Sequence, residues 1–121
     1  MSTEVFGMTG CTTVKNAQNW LEANGVAHDY ARYDKLPNLA DKLQELIAAS
    51  DLTTVLNLKS QAFRKLDEAA QQELVADPAK AIAAMVKNPR LIKRPIAFSN
   101  GQVLAGFVEA QWHDALMGAP R

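Results

Sequence analysis

The run Ile96-Ala-Phe-Ser-Asn-Gly-Gln-Val-Leu-Ala105 constrains this chain more than any other stretch. Two strand-forming segments flank Asn100-Gly101, and Asn-Gly accepts the positive backbone angles of a two-residue turn, so the run predicts an antiparallel hairpin. Two more strands are predicted near the N-terminus. Thr3 to Gly7 carries Val5 and Phe6 and ends at a glycine, which suits a brief strand entering a tight loop; Val26 to Tyr33 alternates loosely and is rich in strand formers. Between them Val14, Ala17, Trp20 and Leu21 recur at helical spacing and Asn24-Gly25 supplies the stop, giving a helix from Thr12 to Asn24. Strand, helix, strand implies a parallel, right-handed crossover.

The middle of the chain is predicted helical. Asn38 can cap a helix with Leu39, Leu43, Leu46 and Ile47 on one face, and Leu66 to Val75 forms another with Ala70 and Leu74 on its apolar side. Asp77-Pro78 reads as cap plus first-turn proline, followed by Ile82, Met85 and Val86 and ended by Asn88-Pro89. Asp51 to Phe63 has mixed character and receives no assignment. A last helix, Val108 to Met117, is expected to bury Val108, Trp112, Ala115 and Leu116, and the tail Gly118 to Arg121 to fray. The expectation is one α/β domain over residues 1–121, in the order βαβ, helical block, ββα.

The chain of 121 residues can bury a core without crosslinks, and its thirteen basic residues balance thirteen acidic ones. No overall field draws it to nucleic acid or to an anionic membrane surface. No run approaches the roughly 20 apolar residues needed to cross a bilayer, and the N-terminus lacks a basic segment followed by an apolar core, so a soluble, cytoplasmic protein is expected. One cysteine forms no internal disulfide, and one cysteine with two histidines makes a poor metal site. Redox chemistry at Cys11 therefore needs a partner's thiol.

Cys11 stands between a glycine and two threonines, where a strand is predicted to give way to a helix. A filler cysteine belongs in an apolar run, and this one does not lie in one. Only the thiolate is a good nucleophile, and a free thiol with a pKa of about 8.5 is mostly protonated at neutral pH. A helix beginning at Thr12 would aim unpaired backbone N–H groups at the sulfur, the hydroxyls of Thr12 and Thr13 can donate, and Lys15 adds positive charge one turn on.

Three stretches carry a resemblance: Phe6-Gly-Met-Thr-Gly-Cys-Thr-Thr-Val-Lys15, Phe63-Arg-Lys-Leu66, and Asn88-Pro-Arg-Leu-Ile-Lys-Arg-Pro-Ile96. With a cysteine at the first strand-helix junction and an X-Pro entering the third strand, the chain resembles the arsenate reductase-like (ArsC/Spx) family of the thioredoxin-like superfamily, and within it the single-cysteine YffB subgroup. The resemblance covers nearly the whole chain. It implies a thioredoxin-like fold with a mixed sheet, its core at about 2–35 and 90–117 and a helical insertion at about 36–89.

Family arsenate reductases use the cysteine as nucleophile and three arginines to hold the oxyanion. Cys11 matches the nucleophile, and Arg64 and Arg94 match two arginines. Gly106 stands at the place of the third, which argues against arsenate as the natural substrate. The Cys-x-x-Cys switch of Spx-type regulators is absent, since Val14 occupies its second position. The resemblance also implies a cis Arg94-Pro95 bond, with Pro95 beside the cysteine where its neighbours can pair with an extended thiol substrate.

Arg64 also fits a solvated Arg-Lys face, and Lys93-Arg94 an exposed basic pair; arginine's planar fork suits carboxylates and oxyanions, and Arg94 directly precedes the strand-entry proline. His28 and His113 are expected at the surface or in packing, Trp20 and Trp112 in packing, Asp67 as a cap, and Asp34 and Asp67 form no carboxylate pair.

The resulting expectation is a thiol-dependent reductase with Cys11 as nucleophile, Thr12, Lys15, Arg64, Arg94 and Pro95 in substrate binding, no bound cofactor or metal, and glutathione as co-substrate. The alternative is an Spx-like regulator acting through protein contacts, with RNA polymerase as a partner.

Overall fold

The computed structural model describes residues 3–118. Its elements in chain order are β1 (Glu4–Gly7), α1 (Thr12–Ala23), β2 (Asp29–Arg32), a 3-10 turn at Tyr33–Lys35, α2 (Leu39–Ala49), α3 (Leu52–Val55), α4 (Gln61–Arg64), α5 (Glu68–Ala76), α6 (Pro78–Lys87), a 3-10 turn at Pro89–Leu91, β3 (Ile96–Ser99), β4 (Gln102–Ala105) and α7 (Glu109–Met117). They fall into two compact units, Met1–Leu36 with Arg94–Arg121, and Pro37–Lys93.

The first unit holds a four-stranded mixed sheet of order β2-β1-β3-β4. β1 runs parallel to β2 and antiparallel to β3, and β3 and β4 form the expected hairpin. Asn100 and Gly101 both take positive φ, 54° and 76°, as a two-residue turn matched to strand twist requires. Helix α1 ends in paired bonds from the Gly25 N–H to the Glu22 carbonyl (3.2 Å) and the Val26 N–H to the Leu21 carbonyl (2.9 Å). This closure uses Val26, so β2 begins at Asp29 rather than at Val26 as expected, and it ends where Tyr33 enters the 3-10 turn.

One apolar core joins Val5 of β1, Ala17 and Leu21 of α1, Ala97 and Leu104 of the hairpin and Trp112 of α7, with Trp20, Val26, Tyr30 and Phe107 packed against it. The Trp112 indole N–H donates to the Gly106 carbonyl at 3.0 Å, and Phe107 meets the Trp112 ring edge-on at 5.1 Å. Val108 is not buried as expected; it precedes the first turn of α7 and is 47% exposed. The fraying expected for the tail falls mainly on residues 119–121, outside the described residues.

In the second unit Leu39, Leu43 and Leu46 of α2 are buried. Asp67 caps α5 through the Ala70 N–H, and Asp77 caps α6 through the N–H groups of Ala79 and Lys80, ahead of Pro78. Asn38 holds the cap position of α2 without a side-chain cap bond. The unassigned stretch contains α3 and α4, capped by Asp51 and Ser60. α6 buries Ala81 and Met85, whereas Val86, expected on that face, is 42% exposed.

Candidate functional site

Register brings the site together at one edge of the sheet. Gly7 ends β1 opposite Arg32 at the end of β2, and Phe6 pairs with Ile96, the first residue of β3, so Arg94 and Pro95 enter the sheet beside the end of β1. The chain leaves β1 through Met8, Thr9 and Gly10, the last at φ +81°, and reaches Cys11 as the residue preceding α1. The Arg94-Pro95 bond is cis, as expected.

Cys11 is half-buried, with extended backbone (φ −95°, ψ 117°), and its carbonyl accepts the Lys15 N–H at 3.1 Å to start the helix. Its position at the helix N-terminus is the one the sequence predicts. Its side chain makes no cap hydrogen bond, so the expected donation from helix N–H groups to the sulfur is not formed in this state. Thr12 and Lys15 are exposed on the first turn, and Val14 is 3% exposed. The place of a second switch cysteine is thus filled by a valine plugged into the core.

Arg94 is half-buried, and its Nη1 donates to the Met8 sulfur at 3.5 Å, which ties the guanidinium to the loop leading to Cys11. Arg64 is exposed at the end of α4 and belongs to the other unit. Gly106 follows β4 at φ +76°, its N–H bonded to the Pro95 carbonyl at 2.8 Å. A left-handed backbone there favours glycine. His28 bonds the Val26 carbonyl and His113 lies near Asp114 at the surface, in keeping with their expected minor roles.

Sequence reasoning passed over three residues at this edge. Arg32 forms two bonds to the Asp34 carboxylate, at 3.0 and 2.6 Å, and this pairing holds Asp34 below the usual carboxylate range. Tyr33 is buried and stacked on Phe6 at 6.0 Å; burial pushes its phenol well up, against the nearby charge of Arg94. Tyr30 is half-buried, and burial raises its phenol as well, opposed by Arg32 and reinforced by Cys11 and Asp34. The signal that could have found Tyr30 and Arg32 is the parallel pairing itself, since residues two apart on β2 share the face of β1 that meets α1.

Among the described residues no cluster of three His, Cys, Asp or Glu side chains is placed to hold a metal ion, and no helix is long and apolar enough to cross a membrane.

Three comparisons agree with this geometry. The solved structure of the YffB protein superimposes with a TM-score of 0.83 at 36% identity, over 95% of this chain and 99% of that one. An arsenate reductase (ArsC) related protein from Brucella melitensis gives a TM-score of 0.75 at 31% identity, over 93% and 92% of the two chains. The global transcriptional regulator Spx of Streptococcus mutans is 27% identical over 87% of this chain and 76% of its own length. The fold is thioredoxin-like, with a mixed sheet. The ArsC family profile matches residues 6–115, and with a cysteine leading into α1 and a cis-proline at the head of β3, this chain belongs to the ArsC family.

Proposed function

We propose that the protein is a thiol-dependent reductase in which the Cys11 thiolate is the nucleophile and glutathione the co-substrate. The observation that carries this reading is the shared edge: register places the lone cysteine, at the N-terminus of α1, and the cis Arg94-Pro95 bond at the same end of the sheet. Helix N-termini favour anions in general, and the thiolate is the nucleophilic form of a cysteine.

In the first step the thiolate attacks the glutathione sulfur of a glutathione mixed disulfide; the S–S bond breaks, Cys11 takes up the glutathionyl group, and the departing substrate thiolate takes a proton from solvent. Because the chain has a single cysteine, a glutathione thiolate resolves the mixed disulfide. Attack on the glutathione sulfur returns the bonding pair to Cys11 and releases oxidised glutathione. Arg94 orients a carboxylate of glutathione or of an anionic substrate. Pro95 and the exposed face of Thr12 border the bound thiol.

Incubation with oxidised glutathione is expected to add about 305 Da to the intact mass, and Cys11→Ser to abolish the addition. An unmodified wild-type mass under conditions that glutathionylate a control thiol rejects the reading.

Similarity to Spx favours a second reading, a regulator that acts through protein contacts with a partner such as RNA polymerase. On that reading Cys11→Ser leaves the function intact in the cell, and on the first it removes it.

A further inference from the structure

The second unit carries an open apolar groove that the reading above leaves without a task. Leu66, Ala70 and Leu74 recur every fourth residue, so they form one stripe along α5 and the turn before it. Together with Ala62 of α4, Ala84 of α6 and Leu91 they line a groove of about 510 Å³. The three alanines are half-buried, and their small side chains leave the space that larger ones would fill. An apolar lining with few polar groups, around a volume between about 300 and 1,000 Å³, is what a small-ligand site has. Three polar residues border the groove: Glu73, Lys87 and Asn88. Glu73 is already matched, its carboxylate 3.4 Å from the Lys80 ammonium. Among the described residues the Lys87 ammonium has no partner, and the Asn88 carboxamide oxygen accepts the Arg90 N–H at 3.2 Å while its NH₂ group donates to nothing. Two unsatisfied donors on neighbouring residues thus border an aliphatic floor.

We propose that this groove binds a small amphipathic carboxylate, a medium-chain fatty acid, with its chain along the Leu66, Ala70 and Leu74 stripe and its carboxylate at Lys87 and Asn88. Charge selects the head group. With Glu73 matched by Lys80, the charge left over at the rim is the Lys87 ammonium, and its complement is an anion; the Asn88 NH₂ adds a second donor, which suits the two oxygens of a carboxylate. The lining selects the tail, since alanine and leucine offer methyl groups and no ring to stack on, so a flexible aliphatic chain fits better than an aromatic one. Size selects a small molecule over a protein: nine residues line the groove, whereas a stable protein interface engages about 20–30 residues on each side. Binding here is non-covalent and makes no use of Cys11, which belongs to the other unit.

The probe is decanoate, titrated below its micellar concentration into isotope-labelled protein and followed by backbone amide shifts, with decanol as the uncharged control. Saturable binding is expected, with the largest shifts at Ala70, Leu74, Ala84 and Leu91. Each methylene removed from the chain is expected to weaken binding about threefold, and Lys87→Gln to weaken decanoate about tenfold while leaving decanol unchanged. Ala84→Phe fills the groove and is expected to abolish binding of both; should that variant fail to fold, Lys87→Gln, at an exposed position, carries the test. Shifts that do not saturate, or that fall on other helices, overturn the proposal. A Lys87→Gln titration superimposable on wild type overturns it as well, because that pattern reports apolar partition without recognition of the head group. A wild-type dimer in sedimentation equilibrium that shields these amides puts a second copy in the groove and likewise overturns it.

Discussion

At Gly7 the constraint is space. A Cβ there would lie 2.8 and 2.9 Å from the two Val14 methyl groups, and Val14 is buried with little room to retreat. Gly7→Ala is therefore expected to destabilise the fold by about 1–3 kcal/mol, seen as a lower urea midpoint, and Val14→Ala in the same chain should recover part of the loss. An unchanged midpoint in Gly7→Ala would show that the contact yields freely. Cys11 was legible from its own neighbours, because a glycine before it and a helix after it are local signals. Tyr30 was not, because its place beside Gly7 depends on which residue of β2 faces which residue of β1, and that register is written in no single segment.

Turns and caps were legible at the scale of elements for the same reason. Asp77-Pro78 shows the pattern: the carboxylate bonds the Ala79 N–H at 3.0 Å, and proline fills a first-turn position whose N–H would have no partner. Asp77→Ala is expected to cost about 1 kcal/mol, measured as a lower midpoint of thermal unfolding with the far-ultraviolet spectrum otherwise native. Helix faces were harder to read. In α6, Ala81, Ile82, Ala84, Met85 and Val86 put apolar groups on most of the circumference, so periodicity alone does not choose between the stripe through Ala81 and Met85 and the one through Ile82 and Val86. Packing against α2 and α5 selects the first. The short helices α3 and α4 escaped because four residues hold no hydrophobic period, although their caps, Asp51 and Ser60, stand in the sequence.

For the molecule as a whole, the buried phenol of Tyr33 ties stability to alkaline pH. Its folded pKa is raised well above the ordinary value, so it contributes stability that is fully present below about pH 10, where the unfolded chain's phenol ionises, and that is lost as pH rises further. Tyr30 acts in the same direction. The urea midpoint of wild type is expected to fall above about pH 10, and Tyr33→Phe to flatten that decline; parallel curves would assign the loss to other groups. The order of elements and the cis-proline were legible across the whole chain, because hairpin, caps and family resemblance pointed to one arrangement. The pairing of Arg94 with Met8 was not, since it joins positions 86 residues apart. Gly106 carries the longest consequence. Its backbone is committed on both sides, its N–H to Pro95 and its carbonyl to the Trp112 indole, at a φ that disfavours side chains. Gly106→Arg is therefore expected to cost about 1–2 kcal/mol in backbone strain although the space beside it is open, so a third arginine at this corner has to make contacts that offset that strain.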